Sequence, residues 1–356
     1  MAINRVEIKD FLVFRGNFSL DFCCGINVII GGNGTGKTTL LKAMYMLCDS
    51  AKKRQRSIQR TSESSVSEPN QDDIQSKVYE VIKITPYFLD AFFPRGVMID
   101  VRSGSGAPAY QREPQQPKIQ PQIKPGLSEA ELIVYGFDVA SEVVFIPYTD
   151  VLSHSRGFLS LYDKRDISFD ETYADLLLKA QLPVTRKISP VASAVMNTVK
   201  SVIGGEVICE NDVFFMVRDD GVKIPFTLEA SGYRKLGLIW KLLRNGILEP
   251  GSILYWDEPE NSLNPELIPV LVDILLELSR NGVQVFIATH SELLASYFAV
   301  NSNSADEVLF TALYKDGEQI KANTGKRFDL LEPNNLLSEP VKLYEKELEK
   351  GLGGNG

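Results

Sequence analysis

The sequence predicts an α/β fold whose sheet is covered by helices on both faces, and three observations carry that prediction. Short, nearly continuous apolar runs stand at GINVIIGG, GSILYWDE and VQVFIATHS, the pattern of strands buried on both faces. Segments with apolar residues at helical spacing, GKTTLLKAMYMLC and NPELIPVLVDILLELSRNG, lie between or after those runs. Strands alternating with helices at both ends of the chain imply a parallel sheet, with an irregular middle inserted between the halves.

Taken in order, residues 3–8 and 18–22 read as two short strands, followed by the GINVIIGG strand and a helix with Leu40, Leu41, Met44 and Leu47 on one stripe. From Ser50 to Ser76 the composition turns polar, which predicts an exposed excursion. After VYEVIKITPYFLDAFFPRGVMIDV, the prolines Pro108, Pro114, Pro117, Pro121 and Pro125 forbid a regular helix. Order resumes in the strands AELIVYGF and EVVFIPY, then in helices from about Thr149 to Val202. Asp170 is placed to cap ETYADLLLKA, and Pro183 and Pro190 punctuate the run. EVICENDVFFMVRDDGVKIPFTL reads as strands with a tight DDG turn, and ASGYRKLGLIWKLL as a helix opening in small residues. Beyond GSILYWDE comes a capped helix ending at Gly282, then VQVFIATHS and a hairpin at EVLFTALYKDGEQIKA.

The bulk numbers bound the function. A chain of 356 residues, 44% hydrophobic and 24% charged, can bury a large core. No run approaches the roughly 18 apolar residues of a membrane span, and MAINRVEIKDF alternates like a strand rather than a signal peptide. A cytoplasmic protein with no membrane partner is expected. Cys23, Cys24, Cys48 and Cys209 lack zinc-site spacing and disulfide density, so buried free thiols are expected. A formal charge of -8 argues against broad adhesion to DNA. The local exception is AKKRQRSIQR, where Lys52, Lys53, Arg54, Arg56 and Arg60 form a basic run read as a solvated loop, with a nucleic-acid or acidic-partner contact as the alternative.

GGNGTGKT, Gly31 to Thr38, fits G-x-x-x-x-G-K-[ST] between a predicted strand and a predicted helix, which makes it a P-loop. Gly31, Gly34 and Gly36 let main-chain N–H groups turn inward on a phosphate, so the nucleotide-binding set is Asn33, Gly34, Thr35, Gly36, Lys37, Thr38 and Thr39. Lys37 supplies charge to the β and γ phosphates, and the Thr38 hydroxyl can ligate Mg²⁺. In ILYWDEPEN, Asp257 and Glu258 stand at the end of a buried strand, where adjacent carboxylates are costly unless a cation or a reaction uses them. Asp257 then holds the Mg²⁺ and Glu258 orients or deprotonates the attacking water. Asp150, Ser153, His154 and Ser155 are close in sequence but form no hydrolase motif.

FLVFRGNFSLDFCCGINVIIGGNGTGKTTLLKA, ASGYRKLGLIWKLL, ILYWDEPENSLNP and VFIATHS, in that order, resemble the ABC-type ATPases of the SMC and RecF group. They look most like compact bacterial ATPases related to the OLD (overcoming lysogenization defect) proteins and to the ATPase subunits of two-gene anti-phage systems. The likeness covers roughly residues 1–50 and 205–295, and implies a P-loop NTPase with an ABC-ATPase-like head: a mixed sheet covered by helices plus a helical lobe carrying a signature helix. It implies that Ser231 and Gly232, at the tip of that helix, bind the γ-phosphate of a nucleotide held by a second subunit. Asn261 to Asn264 would form the D-loop, and His290 would be the switch histidine, joining Glu258 and Lys37 in catalysis. The signature reads ASGYRK where transporters carry LSGGQ, the D-loop ends in Asn264 where many relatives carry Asp, and no Q-loop glutamine is assigned among Gln111 to Gln122.

The expected organisation is a discontinuous nucleotide-binding lobe, residues 1–50 and 250–325, an exposed insertion at 51–127, strands and a helical lobe with the signature motif at 128–249, and a C-terminal tail at 326–356. The resemblance implies an ATP- and Mg²⁺-dependent ATPase that forms a homo-dimer or higher oligomer around ATP and regulates a separate effector, a nuclease or toxin, in bacterial anti-phage defence. The tail after His290 is short for the nuclease domain that OLD proteins carry, so if the protein controls a nuclease or toxin, that effector is expected on another chain. The alternative is a DNA-repair or recombination clamp that binds DNA through the basic run.

Overall fold

The apolar runs of the sequence lie side by side at the centre of the structure, a computed structural model that describes residues 2–61, 97–102, 130–138, 141–165, 169–186 and 188–352. In chain order the elements are β1 (Arg5–Phe11), β2 (Phe14–Asp21), β3 (Ile26–Gly31), α1 (Lys37–Thr61), β4 (Val97–Arg102), β5 (Ala130–Tyr135) and β6 (Val143–Ile146). The helical lobe follows as α2 (Phe158–Lys164), α3 (Glu171–Gln181) and α4 (Pro190–Ile203), then β7 (Gly205–Glu210), β8 (Val213–Arg218), β9 (Lys223–Pro225) and α5 (Ser231–Arg244). The chain returns through β10 (Ile253–Asp257), α6 (Ile268–Arg280), β11 (Gln284–Thr289), α7 (Glu292–Asn301), β12 (Val308–Asp316), β13 (Gln319–Gly325) and α8 (Asn335–Leu352).

The central sheet has the order β13-β12-β3-β11-β10-β6. Its β6, β10, β11, β3 and β12 are parallel neighbours and β13 closes the edge antiparallel, so the sheet is mixed. Alternate residues of each strand enter different cores, as period-2 geometry requires. Val28, Ile30, Leu254, Trp256, Val285 and Ile287 pack with the helical lobe. Ile29, Ile253, Tyr255 and Phe286 pack on the other face with Leu40, Leu41, Met44 and Leu47 of α1. A second sheet, β2-β1-β5-β4, covers the far side of α1 through Val6, Ile8, Phe18 and Leu20. The antiparallel β7-β8-β9 sheet stands at the helical lobe, its DDG turn closed by Arg218 N–H on the Val222 carbonyl at 2.9 Å.

Helix α1 runs to Thr61, past Ser50, where the composition predicts its end. The reason is neutralisation by other elements. Lys52 is buried and its ammonium reaches the Ser141 carbonyl and Glu142, both at 2.7 Å. Arg56 reaches Glu142 at 2.7 Å, and Lys53 pairs with Asp49 at 3.0 Å and Glu171 at 2.7 Å. The basic run is therefore helical, not a solvated loop, and three of its cations already face acids of the same chain. Among the cysteines only Cys48 is buried; Cys24 is exposed, its thiol donating to the Glu307 carboxylate at 2.9 Å. Asp170 caps α3 as expected, accepting from Thr172 N–H at 3.0 Å. The predicted excursion beyond Thr61, the proline-rich stretch and Gln111 to Gln122 lie outside the described residues. No helix among the described residues is long and apolar enough to cross a membrane.

Candidate nucleotide site

Three parallel strands end at one place, and their ends supply the site. Gly31 closes β3, Asp257 closes β10 and Thr289 closes β11, with Glu258 and His290 one residue beyond. The loop from Gly31 to Gly36 is forced by its glycines. Gly36 has φ 87°, and a Cβ there would stand 2.7 Å from Val13 and 2.9 Å from Phe14, so neither backbone nor space admits a side chain. Lys37 folds back over this loop, donating to the carbonyls of Gly31 at 2.8 Å and Gly32 at 3.1 Å. Thr35 is buried and its hydroxyl donates to Gly32 at 2.9 Å, while Asn33 and Gly34 are exposed at the loop's tip and Thr39 is half-buried in the first turn of α1.

The Thr38 hydroxyl lies 3.0 Å from both carboxylate oxygens of Asp257. Burial pushes Asp257 up to about 6, against the Thr38 hydrogen bond, which lowers it. Burial likewise brings Lys37 down to about 8, opposed by Glu258, Asp257 and Glu260. A carboxylate and an ammonium are thus both held where their charges are poorly solvated. His290 bridges Lys37 and Glu258: its Nδ1 is 3.4 Å from the Lys37 Nζ and its Nε2 is 3.4 Å from a Glu258 oxygen. One neutral tautomer, with Nδ1 accepting from Lys37 and Nε2–H facing Glu258, serves both contacts, and burial together with Lys37 lowers the His290 pKa in the same sense.

Two residues without a role in the sequence analysis join this constellation. Glu260 accepts from the Thr289 hydroxyl at 2.6 Å and from His290 N–H at 3.1 Å, fixing the end of β11; its signal is the third acid of DEPEN. Lys315, from the end of β12, brings its ammonium beside Gly34, 3.4 Å from where a Cβ would be.

Ser231 and Gly232 open α5 at a separate place. Ala230, exposed, is the N-cap and gives no side-chain cap. Ser231 is not the cap; its hydroxyl donates to the Ser262 carbonyl at 2.5 Å. Gly232 is buried, and a Cβ there would meet Leu267 at 2.9 Å and Leu263 at 3.0 Å. Its small size therefore has a packing reason within the chain. Asn261 N–H bonds the Glu258 carbonyl at 3.0 Å, and Asn264 caps the next turn by accepting from Glu266 N–H at 3.2 Å. Asp150 caps Leu152 N–H at 3.0 Å and lies 3.1 Å from Arg234, beside a cavity of about 350 Å³ that Ser153 and His154 also line. Its carboxylate is committed to a turn and an ion pair, not to a nucleophile.

The chain is similar to several known proteins. The DNA replication and repair protein RecF of Oenococcus oeni is 45% identical over 47 residues, 13% of this chain and 12% of that protein, so the match spans about an eighth of that relative's length. The SMC head domain of Thermotoga maritima superposes with a TM-score of 0.44 at 11% identity, covering 91% of this chain and 99% of that one. An SMC head with an extended coiled coil bound to the C-terminal domain of ScpA, from Pyrococcus furiosus, gives 0.45 at 10% identity over 97% and 99%. The profile described as "AAA domain, putative AbiEii toxin, Type IV TA system" matches residues 26–296. That span runs from the first residue of β3 into α7 and holds Lys37, Thr38, Asp257, Glu258, Glu260 and His290, so the chain belongs to the AbiEii-type AAA ATPase family.

Proposed function

We propose that this ATPase closes as a dimer around ATP and that its nucleotide state governs a separate effector chain, a nuclease or toxin, in defence against phage. The observation that carries the nucleotide chemistry is the pairing of opposite, poorly solvated charges on one cradle: Lys37 under a glycine loop, and Asp257 against the Thr38 hydroxyl. Such a cradle fits a triphosphate at Lys37 and Mg²⁺ at Thr38 and Asp257, because each would restore solvation that the fold removes. Among the described residues no cluster of three or more His, Cys, Asp or Glu side chains could hold a metal. Thr38 and Asp257 are the residues that would hold a cation at the cradle, and a magnesium ion commonly takes only one or two ligands from protein.

Within that reading each residue has one task. Lys37 and the main-chain N–H groups of the glycine loop neutralise phosphate charge. Glu258 accepts a proton from the attacking water, and His290, neutral, donates from Nε2 toward Glu258 and holds that carboxylate in place. Thr38 and Asp257 would hold Mg²⁺, which would supply positive charge to the phosphates. The exposed, uncapped tip of α5 supports a trans contact in which Ser231 meets a phosphate held by a second copy. The alternative of a DNA clamp is not favoured, since Lys52, Lys53 and Arg56 face Asp49, Glu142 and Glu171.

The test is Glu258→Gln. Phosphate release should fall by roughly 10²-fold or more while ATP binding persists, and light scattering should find dimers or larger assemblies with ATP and Mg²⁺ but not with ADP. Undiminished turnover removes Glu258 from the chemistry, and a monomer at saturating ATP removes the dimer.

A further inference from the structure

The loop that follows β10 is held in backbone conformations that its residues avoid. Glu258 and Ser262 have φ of 46° and 58°, a region that disfavours non-glycine residues and persists only where surroundings impose it. What imposes it comes from α5. Lys235, in the second turn, sends its ammonium into the concave side of the loop and donates to the carbonyls of Glu258 at 3.4 Å, Pro259 at 3.0 Å and Asn261. Three carbonyls match the three donors of an ammonium. One turn earlier Ser231 holds the Ser262 carbonyl, and Gly232 admits Leu263 and Leu267 against the helix.

An ammonium bonded only to neutral carbonyls is an expensive fastening. Burial lowers its pKa to about 8, with Glu260, Asp150 and Glu258 opposing from further away. A loop that needed no more than a filled core could use an apolar side chain there at lower cost. The carbonyls it gathers belong to the stretch that starts with Glu258, whose carboxylate faces His290.

We propose that Lys235 is a positioning residue for hydrolysis: by gathering these three carbonyls it fixes the main chain from Glu258 to Asn261 and so aims the Glu258 carboxylate. The inference rests on the reading of Glu258 as the group that takes the proton from water. It also makes the tip of α5 and the loop one rigid body.

Lys235→Ala removes a propylamine's worth of side chain, so the test uses that molecule. Turnover of ATP by the variant should fall roughly 10²-fold through misplacement of the carboxylate, with KM for ATP moving less than about twofold. Added propylammonium should restore at least about a tenth of the lost rate, because it returns three donors to the same cage. Tetramethylammonium, equally charged but without N–H, should restore none. Turnover within about twofold of the parent, or a loss that propylammonium does not lift, overturns the proposal. Glu258→Gln separates the two readings: if that variant still hydrolyses ATP, the role of Glu258 falls, whereas if it is inactive and Lys235→Ala is not, only the positioning role falls.

Discussion

Replacing Lys37 with methionine should make the nucleotide-free protein more stable at neutral pH while abolishing its response to ATP. The reason lies in the cradle. Lys37 is only 5% exposed, and burial takes its pKa from 10.5 to about 8. At about 1.4 kcal/mol per pH unit this is a cost of at most about 3 kcal/mol, reduced by water screening at the mouth of the cradle. Because the folded value lies below the unfolded one, the penalty is complete below pH 8 and fades as the pH rises from about 8 toward 10.5. Methionine has nearly the same length and no charge, but it forfeits the two hydrogen bonds to Gly31 and Gly32, about 1 kcal/mol each. The balance favours the variant by about 1 kcal/mol at pH 7, reverses near pH 9 where about 2 kcal/mol of penalty is left, and favours the parent by about 1 kcal/mol near pH 10. Urea midpoints in a buffer free of phosphate and sulfate measure the difference, and ATP at about 100 times its Kd should then raise the parent alone by about 2.7 kcal/mol. A variant less stable than its parent at pH 7, with no crossing as the pH rises, refutes the argument.

Gly36→Ala forces a side chain into a residue with φ 87° and against Val13 and the fully buried Phe14. It should cost about 2–4 kcal/mol in a thermal melt and erase the stabilisation by nucleotide. Glu229→Ala removes a carboxylate that accepts from Arg218 at 2.6 Å and from Ala230 N–H at 3.0 Å, just ahead of α5. Leaving the half-buried Arg218 without its partner should cost about 3 kcal/mol, and amide exchange should quicken at 226–233, measured by mass spectrometry. Unchanged exchange there would mean that the pair does not hold the helix tip.

The parts of the fold that could be read from the sequence are those written in neighbouring residues. The P-loop carries its reasons within eight positions, and the strands before it and through Trp256 announce burial on two faces by being apolar without alternation. The Asp170 cap is equally local. What escaped notice depends on partners far along the chain. The length of α1 is decided by Glu142 and Glu171, and composition could not show that acids so distant would meet Lys52, Lys53 and Arg56. Nor could the neighbours of Gly232 show that Leu263 and Leu267 occupy the space its missing side chain leaves. The cage of carbonyls around Lys235 is equally distant in sequence, formed where Glu258 and Ser262 turn the main chain back upon it.

The strand that ends in Asp257 belongs to two masters. Tyr255 is packed among the residues around α1 and Trp256 among those of the helical lobe, though they are consecutive. The carboxylates just beyond them therefore register strain arriving from either layer, like a pointer clamped between two plates. A lobe that tilts when a neighbour docks, or a first helix that shifts when its cradle fills, moves the same two acids.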